Sequence, residues 1–163
     1  MKALRTNAWK SSSGFSLVEM LISVAILTIV IGGTFSVFIQ NLRSYNTTTL
    51  MRNSETRASM ALDRMVYGVG TNQGLREAGQ ADVTISNVAS TSWKIAYTNN
   101  TYFQWSSTTK SIRDQNGKTI GTNIFASTLT TNGSGCTISL SVSESGGGRV
   151  ITNIMSTFVQ FRN

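Results

Sequence analysis

The feature that most restricts what this chain can become is an apolar run from Phe15 to Ile39 that carries one acid, Glu19, near its front. As a helix rising about 1.5 Å per residue, this run extends about 37 Å, which covers the roughly 30 Å hydrocarbon layer of a bilayer with some tilt. The residues before Ser11 hold Lys2, Arg5 and Lys10 and no acid. That positive excess keeps the N-terminus in the cytoplasm and sends everything after Ile39 across the membrane. A carboxylate within hydrocarbon is costly unless paired, so Glu19 is a functional-site candidate in search of a cationic partner.

A secretory signal peptide would have a shorter apolar core followed by a small-residue cleavage site. Here the run is too long, nothing like A-x-A follows it, and the small residue, Gly14, stands in front. The stretch "GFSLVEMLI", with Gly14, Phe15 and Glu19, resembles the type III signal of the type IV pilin and pseudopilin superfamily. The resemblance implies cleavage by prepilin peptidase between Gly14 and Phe15, methylation of Phe15 as the new N-terminus, and an assembly role for Glu19 at the fifth mature position. Cleavage would also create an α-amine four residues before Glu19, a candidate for the missing partner.

Gly32 and Gly33 interrupt the run, each costing roughly 1 kcal/mol relative to Ala in a helix interior. They suit close helix packing in the membrane, or, as the resemblance implies, a stretch that unwinds on filament packing. Beyond the membrane, Ala58, Ala61, Leu62, Met65, Val66 and Val69 recur at helical spacing, which predicts an amphipathic helix continuing to about Tyr67 and stopping at Gly68 and Gly70. On that helix Arg43, Arg52, Arg57 and Arg64 read as a solvated surface.

After a glycine-containing loop, "GVGTNQGLREAG", the pattern changes to period two. Trp93, Ile95 and Tyr97 form one alternating face, a turn is expected at Asn99 and Asn100, and "TYFQW" is the returning strand. "QNGK" at 115–118 suits a type I′ hairpin turn. Cys136, Ile138, Leu140 and Val142 alternate with hydroxyl residues as a half-buried strand, "SGGG" at 145–148 separates it from "RVITNI", and "TFVQF" follows near the end. The expected class is α+β, a long N-terminal helix packed on a C-terminal antiparallel sheet, which is the pilin fold. The expected divisions are a cleaved basic leader at 1–14, a transmembrane and filament-core helix at 15–39, the amphipathic second half of the helix at 40–70, and an extracytoplasmic β-rich domain at 71–163.

Catalytic chemistry has little to work with. There is no His, and the single cysteine, Cys136, falls on the apolar side of its strand, so no His-assisted nucleophile or clustered zinc ligands are expected. No metal, cofactor or enzymatic activity is expected. "NGKT" at 116–119 lacks the first glycine of a phosphate-binding loop, where Ile112 stands instead. Trp93, Tyr97, Tyr102, Phe103 and Trp105 read as core rather than as a sugar or base platform. From Phe15 onward the net charge is only +4, which supports weak, salt-sensitive binding of nucleic acid at most.

"RASMALDRMVYGV" and the ending "FVQFRN" are similar to minor pilins of the PilW kind and to J-type pseudopilins of type II secretion. Many major pilins have a proline in the helix and a disulfide-closed C-terminal loop, and this chain has no proline and one cysteine. The resemblance therefore implies a minor pilin or pseudopilin, a structural subunit of a type IV pilus or type II secretion-like filament. It would be a single-pass protein of the inner membrane before it enters the filament. Its partners would be prepilin peptidase/methylase, other pilin or pseudopilin subunits, the inner-membrane assembly platform and membrane lipid. The alternative reading is a filament-tip adhesin or a DNA-binding competence pilin, with glycan or nucleic acid as ligand.

Overall fold

A computed structural model of the chain describes residues 14–70 and 73–162, apart from the side chain of Asn87. One helix, α1 (Leu17–Tyr67), precedes a short 3-10 turn (Gln80–Asp82) and eight strands: β1 (Val83–Ala89), β2 (Ser92–Tyr97), β3 (Tyr102–Ser106), β4 (Ser111–Asp114), β5 (Thr119–Gly121), β6 (Ile124–Thr131), β7 (Gly135–Gly146) and β8 (Arg149–Gln160). Two compact units divide the chain between Arg43 and Ser44, and α1 contributes to both. The architecture is α+β and consistent with the pilin fold.

In the first unit, the large apolar side chains from Leu17 to Phe38 are exposed on every side of the helix. A helix apolar all round has no core-facing stripe to bury against its own protein and belongs in lipid or in a larger assembly. By length and apolarity α1 is able to cross a membrane.

The second unit folds as two antiparallel sheets, each a meander in chain order: β1 to β5 in one, β6 to β8 in the other. Ser54, Ala58, Ala61, Leu62 and Met65 form the buried stripe of α1. The small members of that stripe let the helix come close to the sheet. A β-carbon added to Gly121 would stand 2.8 Å from the Ala61 β-carbon. Trp93, Ile95 and Phe103 fill the same core together with Trp105, Ile138, Leu140 and Val142. Register explains the arrangement, since Trp93 lies opposite Trp105 and Ile95 opposite Phe103, all on one face. The two sheets are tied within the core by polar links. Trp93 donates its ring N–H to Ser127 Oγ at 2.9 Å, and Trp105 donates its ring N–H to the Ile124 carbonyl at 3.3 Å.

The helix stops where its sequence predicts, with Gly68 in the left-handed region at φ 83°. The following chain then turns back onto the helix end. The N–H groups of Leu75 and Arg76 donate to the Met65 and Val66 carbonyls, which no intrahelical donor reaches. Gly74 makes this return feasible, because a β-carbon there would lie 2.3 Å from the Val66 carbonyl oxygen.

Two expectations change. The "QNGK" turn is not type I′, since Asn116 has no positive φ and only Gly117 does, at 74°. The cause is Asp114, whose Oδ1 accepts from the N–H of both Asn116 and Lys118 and draws the chain into a tighter turn closed by Gly117 N–H to the Asp114 carbonyl. Nor are Arg57 and Arg64 merely solvated. Arg57 pairs with Glu144 at 2.9 Å and also reaches Thr122, while Arg64 donates to the Ile120 carbonyl at 2.9 Å. Both tether α1 to the rims of the sheets.

Gly74→Ala should destabilise the protein by about 2–4 kcal/mol, because backbone rather than a yielding side chain blocks the new methyl. Gly117→Ala, with open space but positive φ, should cost only about 1–2 kcal/mol. Denaturant unfolding of the two variants beside the wild type gives both numbers, and equal costs would contradict the packing argument.

Candidate functional site

The residues singled out at the front of the apolar run come together at the start of α1. Gly14, Phe15 and Ser16 lie outside any helix or strand, and Leu17 begins the helix, which makes Ser16 the N-cap and Glu19 the third helical residue. Glu19 reaches back and its Oε2 accepts from the Ser16 backbone N–H at 3.3 Å. This is half of a capping box, in which an acid in the first turn satisfies an N–H that the helix leaves unpaired. Sequence reasoning treated Glu19 only as a buried acid seeking a cation, although "SLVE" has the S-x-x-E spacing that announces this bond. The carboxylate also sits at the positive end of the helix dipole.

The preceding peptide bond is open to attack. Phe15 is 74% exposed, and among the described residues nothing lies within 4 Å of a β-carbon built on Gly14. The fold therefore has no steric need for glycine at position 14. Gly32 and Gly33 likewise have nothing near a built β-carbon, and α1 runs through them unbroken.

Behind the cap, three hydroxyls of the apolar run turn inward on the helix itself. Ser23 donates to the Glu19 carbonyl at 2.7 Å, Thr28 to the Val24 carbonyl at 2.5 Å, and Thr34 to the Val30 carbonyl at 2.7 Å. Each bond removes an unsatisfied donor from a segment that would find no water in hydrocarbon. Glu19 is thus the one ionisable side chain between Phe15 and Ile39.

Other candidate chemistry disperses. Trp93, Tyr97, Phe103 and Trp105 are buried, so no aromatic platform is presented, and Tyr102 stands apart with Lys94 Nζ 3.9 Å from its ring centre. "NGKT" forms the β4–β5 connection, with no helix following to bind phosphate. Cys136 is buried, and burial pushes its thiol from an ordinary value near 9 up to about 11. Burial, and then the neighbouring Cys136, push the Tyr97 hydroxyl up as well.

Residues 9–35 match the family described as the prokaryotic N-terminal methylation motif. That segment contains Gly14, Phe15 and Glu19, and it supports a type IV pilin-like substrate of prepilin peptidase. No curated protein and no solved structure matches the chain.

Because the folded state holds the Cys136 proton more tightly than the unfolded chain, stability from this group is complete below about pH 9 and is lost as pH rises toward about 11. Unfolding free energies measured from about pH 8 to about pH 10 should fall, by at most about 1.4 kcal/mol per pH unit from this thiol. Cys136→Ala should flatten the slope, and an unchanged slope in that variant would show that Cys136 does not cause it.

Proposed function

We propose that this chain is a minor pilin or pseudopilin, a structural subunit of a type IV pilus or type II secretion-like filament. The observation that supports it best is the exposed Gly14–Phe15 bond just ahead of a capped helix whose membrane-length apolar run holds one acid, Glu19, in the first turn. In this reading residues 1–14 are a leader removed by prepilin peptidase, and Phe15 is methylated. Residues 15–39 anchor the protein in the inner membrane and later form filament core. Residues 40–70 continue the helix, and residues 71–163 form an extracytoplasmic domain. Absence of a helix proline and of a disulfide-closed loop favours a minor rather than a major component.

Glu19 has two successive partners in this scheme. In the precursor it caps the Ser16 N–H. Cleavage exposes a cationic amine on Phe15, within about 6 Å along a helix extended back to that residue. In the low dielectric of a filament core, a neighbour staggered along the axis brings its own amine to Glu19, and the attraction is far stronger there than in water. Removing one partner of such a buried pair typically costs about 3–5 kcal/mol, so docking is favoured in one register. The partners are the peptidase/methylase, other pilin or pseudopilin subunits, the assembly platform and lipid.

Mass spectrometry of the mature N-terminus should find a chain beginning with methylated Phe15. A mature chain beginning at Met1, or beyond Ile39, would overturn the reading. Glu19→Val should be cleaved and inserted into the membrane but largely missing from sheared filaments on immunoblots of the two fractions. Wild-type amounts of this variant in filaments would remove the docking role from Glu19.

A further inference from the structure

The two sheets have four edges, and they are not alike. β5 is three residues long, and the pairings of β1 and β6 are broken by register shifts. Short or bulged edges are the usual protection against unwanted strand pairing. β8 has none of these devices. It runs twelve residues in unbroken register with β7, without proline and without a charge from Val150 to Gln160.

Its unpaired side is identifiable. The two-residue turn Gly147–Gly148, at φ 57° and 74°, joins the paired residues Gly146 and Arg149, and at the far end the Phe161 N–H donates to the Ser134 carbonyl. Odd-numbered residues therefore bond to β7, since antiparallel bonding alternates along a strand. The N–H and C=O groups of Val150, Thr152, Ile154, Ser156, Phe158 and Gln160 point to the open edge. Among the described residues, none of them makes a backbone bond beyond the sheet. One position further on, the chain uses that edge itself. The Arg162 N–H donates to the Ala78 carbonyl, and Gly79 bridges to Arg162.

The same even-numbered residues carry the exposed apolar side chains of the strand: Val150 at 70%, Ile154 at 72% and Phe158 at 52% exposure. They share their face with Thr137, Ser139, Ser141 and Ser143 of β7, an uncharged surface of hydroxyls and hydrocarbon. An open row of backbone groups beside a regular apolar stripe is what an added strand requires, with main-chain bonds for affinity and alternate side chains for specificity.

We propose that the β8 edge receives an extended segment of a different filament subunit as an additional strand. This inference deepens the filament reading and rests on it for the nature of the partner. The segment is uncharged through its middle, apolar at alternate positions to lie beside Val150, Ile154 and Phe158, and acidic toward its ends, where Arg149 and Arg162 flank the edge. A second copy of this chain fits less well. Antiparallel pairing centred on Ile154 brings the Arg149 end of each copy toward the Arg162 end of the other.

Ser156→Pro tests the inference in the full chain, because it removes an edge-directed N–H and leaves the β7 ladder intact. The variant should keep its circular-dichroism spectrum and its processing at Phe15. Its amount in sheared filaments should fall about tenfold, the effect of leaving one partner carbonyl unsatisfied. Ser156→Ala should assemble normally. Wild-type filament levels of a folded, processed Ser156→Pro protein would overturn the edge inference and leave the pilin reading standing. A wild-type chain that is never cleaved at Gly14 would instead overturn the pilin reading. A benzophenone side chain at Phe158 gives a second measurement that does not depend on how proline is tolerated. Ultraviolet cross-linking in cells should join it to an extended peptide of another filament subunit. Cross-linking to a second copy of this chain, or to lipid alone, would overturn the assignment of the occupant.

Discussion

One helix has to be stable in two solvents, and most of this structure follows from that constraint. From Leu17 to Phe38 the helix offers apolar atoms in every direction, so its polar groups must be satisfied locally. Ser23, Thr28 and Thr34 comply by bonding to carbonyls one turn back, and Glu19 complies by bonding to the cap. Past Ser44 the same helix becomes the scaffold of a fold with its own buried core. There it presents a narrow stripe of mostly small side chains, Ser54, Ala58, Ala61, Leu62 and Met65, to two sheets. Small residues bury little area each, so the bulk of the hydrophobic stabilisation comes from the sheet side, where the indoles of Trp93 and Trp105 are buried whole.

That division of labour explains which parts of the fold were legible in the sequence. The end of α1 was readable to within a few residues, because an apolar stripe and a glycine able to take positive φ coincide near Tyr67 and Gly68. The β2–β3 hairpin was readable because its aromatic residues alternate with polar ones over an unbulged register. β6 lacks such a signal. A register shift between Ile124 and Ala126 changes which residues face inward, so the buried positions Ile124, Ser127 and Leu129 do not keep a single period of two. The Asp114 turn was misread because Asn-Gly was judged by its backbone preference alone, while the deciding bonds come from a side chain on the strand before it. Arg57 and Arg64 were misread for a related reason. Helical spacing locates a residue on a surface but does not reveal an acceptor that lies more than fifty residues away in the chain.

The front of the helix shows the same limits at the candidate site. Spacing identified Gly14, Phe15 and Glu19, and the structure adds what they do before any partner arrives. Among the described residues, glycine at 14 answers no packing requirement. Glu19, in contrast, already has a local role. A residue that caps its own helix is held in one place at low cost in side-chain entropy, which orients the carboxylate for a later partner.

In the proposed filament, this arrangement bears on the order of events. A free carboxylate entering hydrocarbon would oppose membrane insertion, whereas one that already accepts a hydrogen bond at the positive end of a helix dipole is partly compensated. The cap thus lowers the barrier to holding Glu19 at the membrane before assembly begins. It remains a weaker partner than an ammonium group, because a neutral amide donates one bond at 3.3 Å and carries no net charge. Exchange from the Ser16 N–H to the amine of an adjacent subunit is therefore downhill, and only after the Gly14–Phe15 bond has been cut. A single peptide bond, placed in exposed backbone two residues before the helix, then determines when the charge at Glu19 acquires its strongest partner.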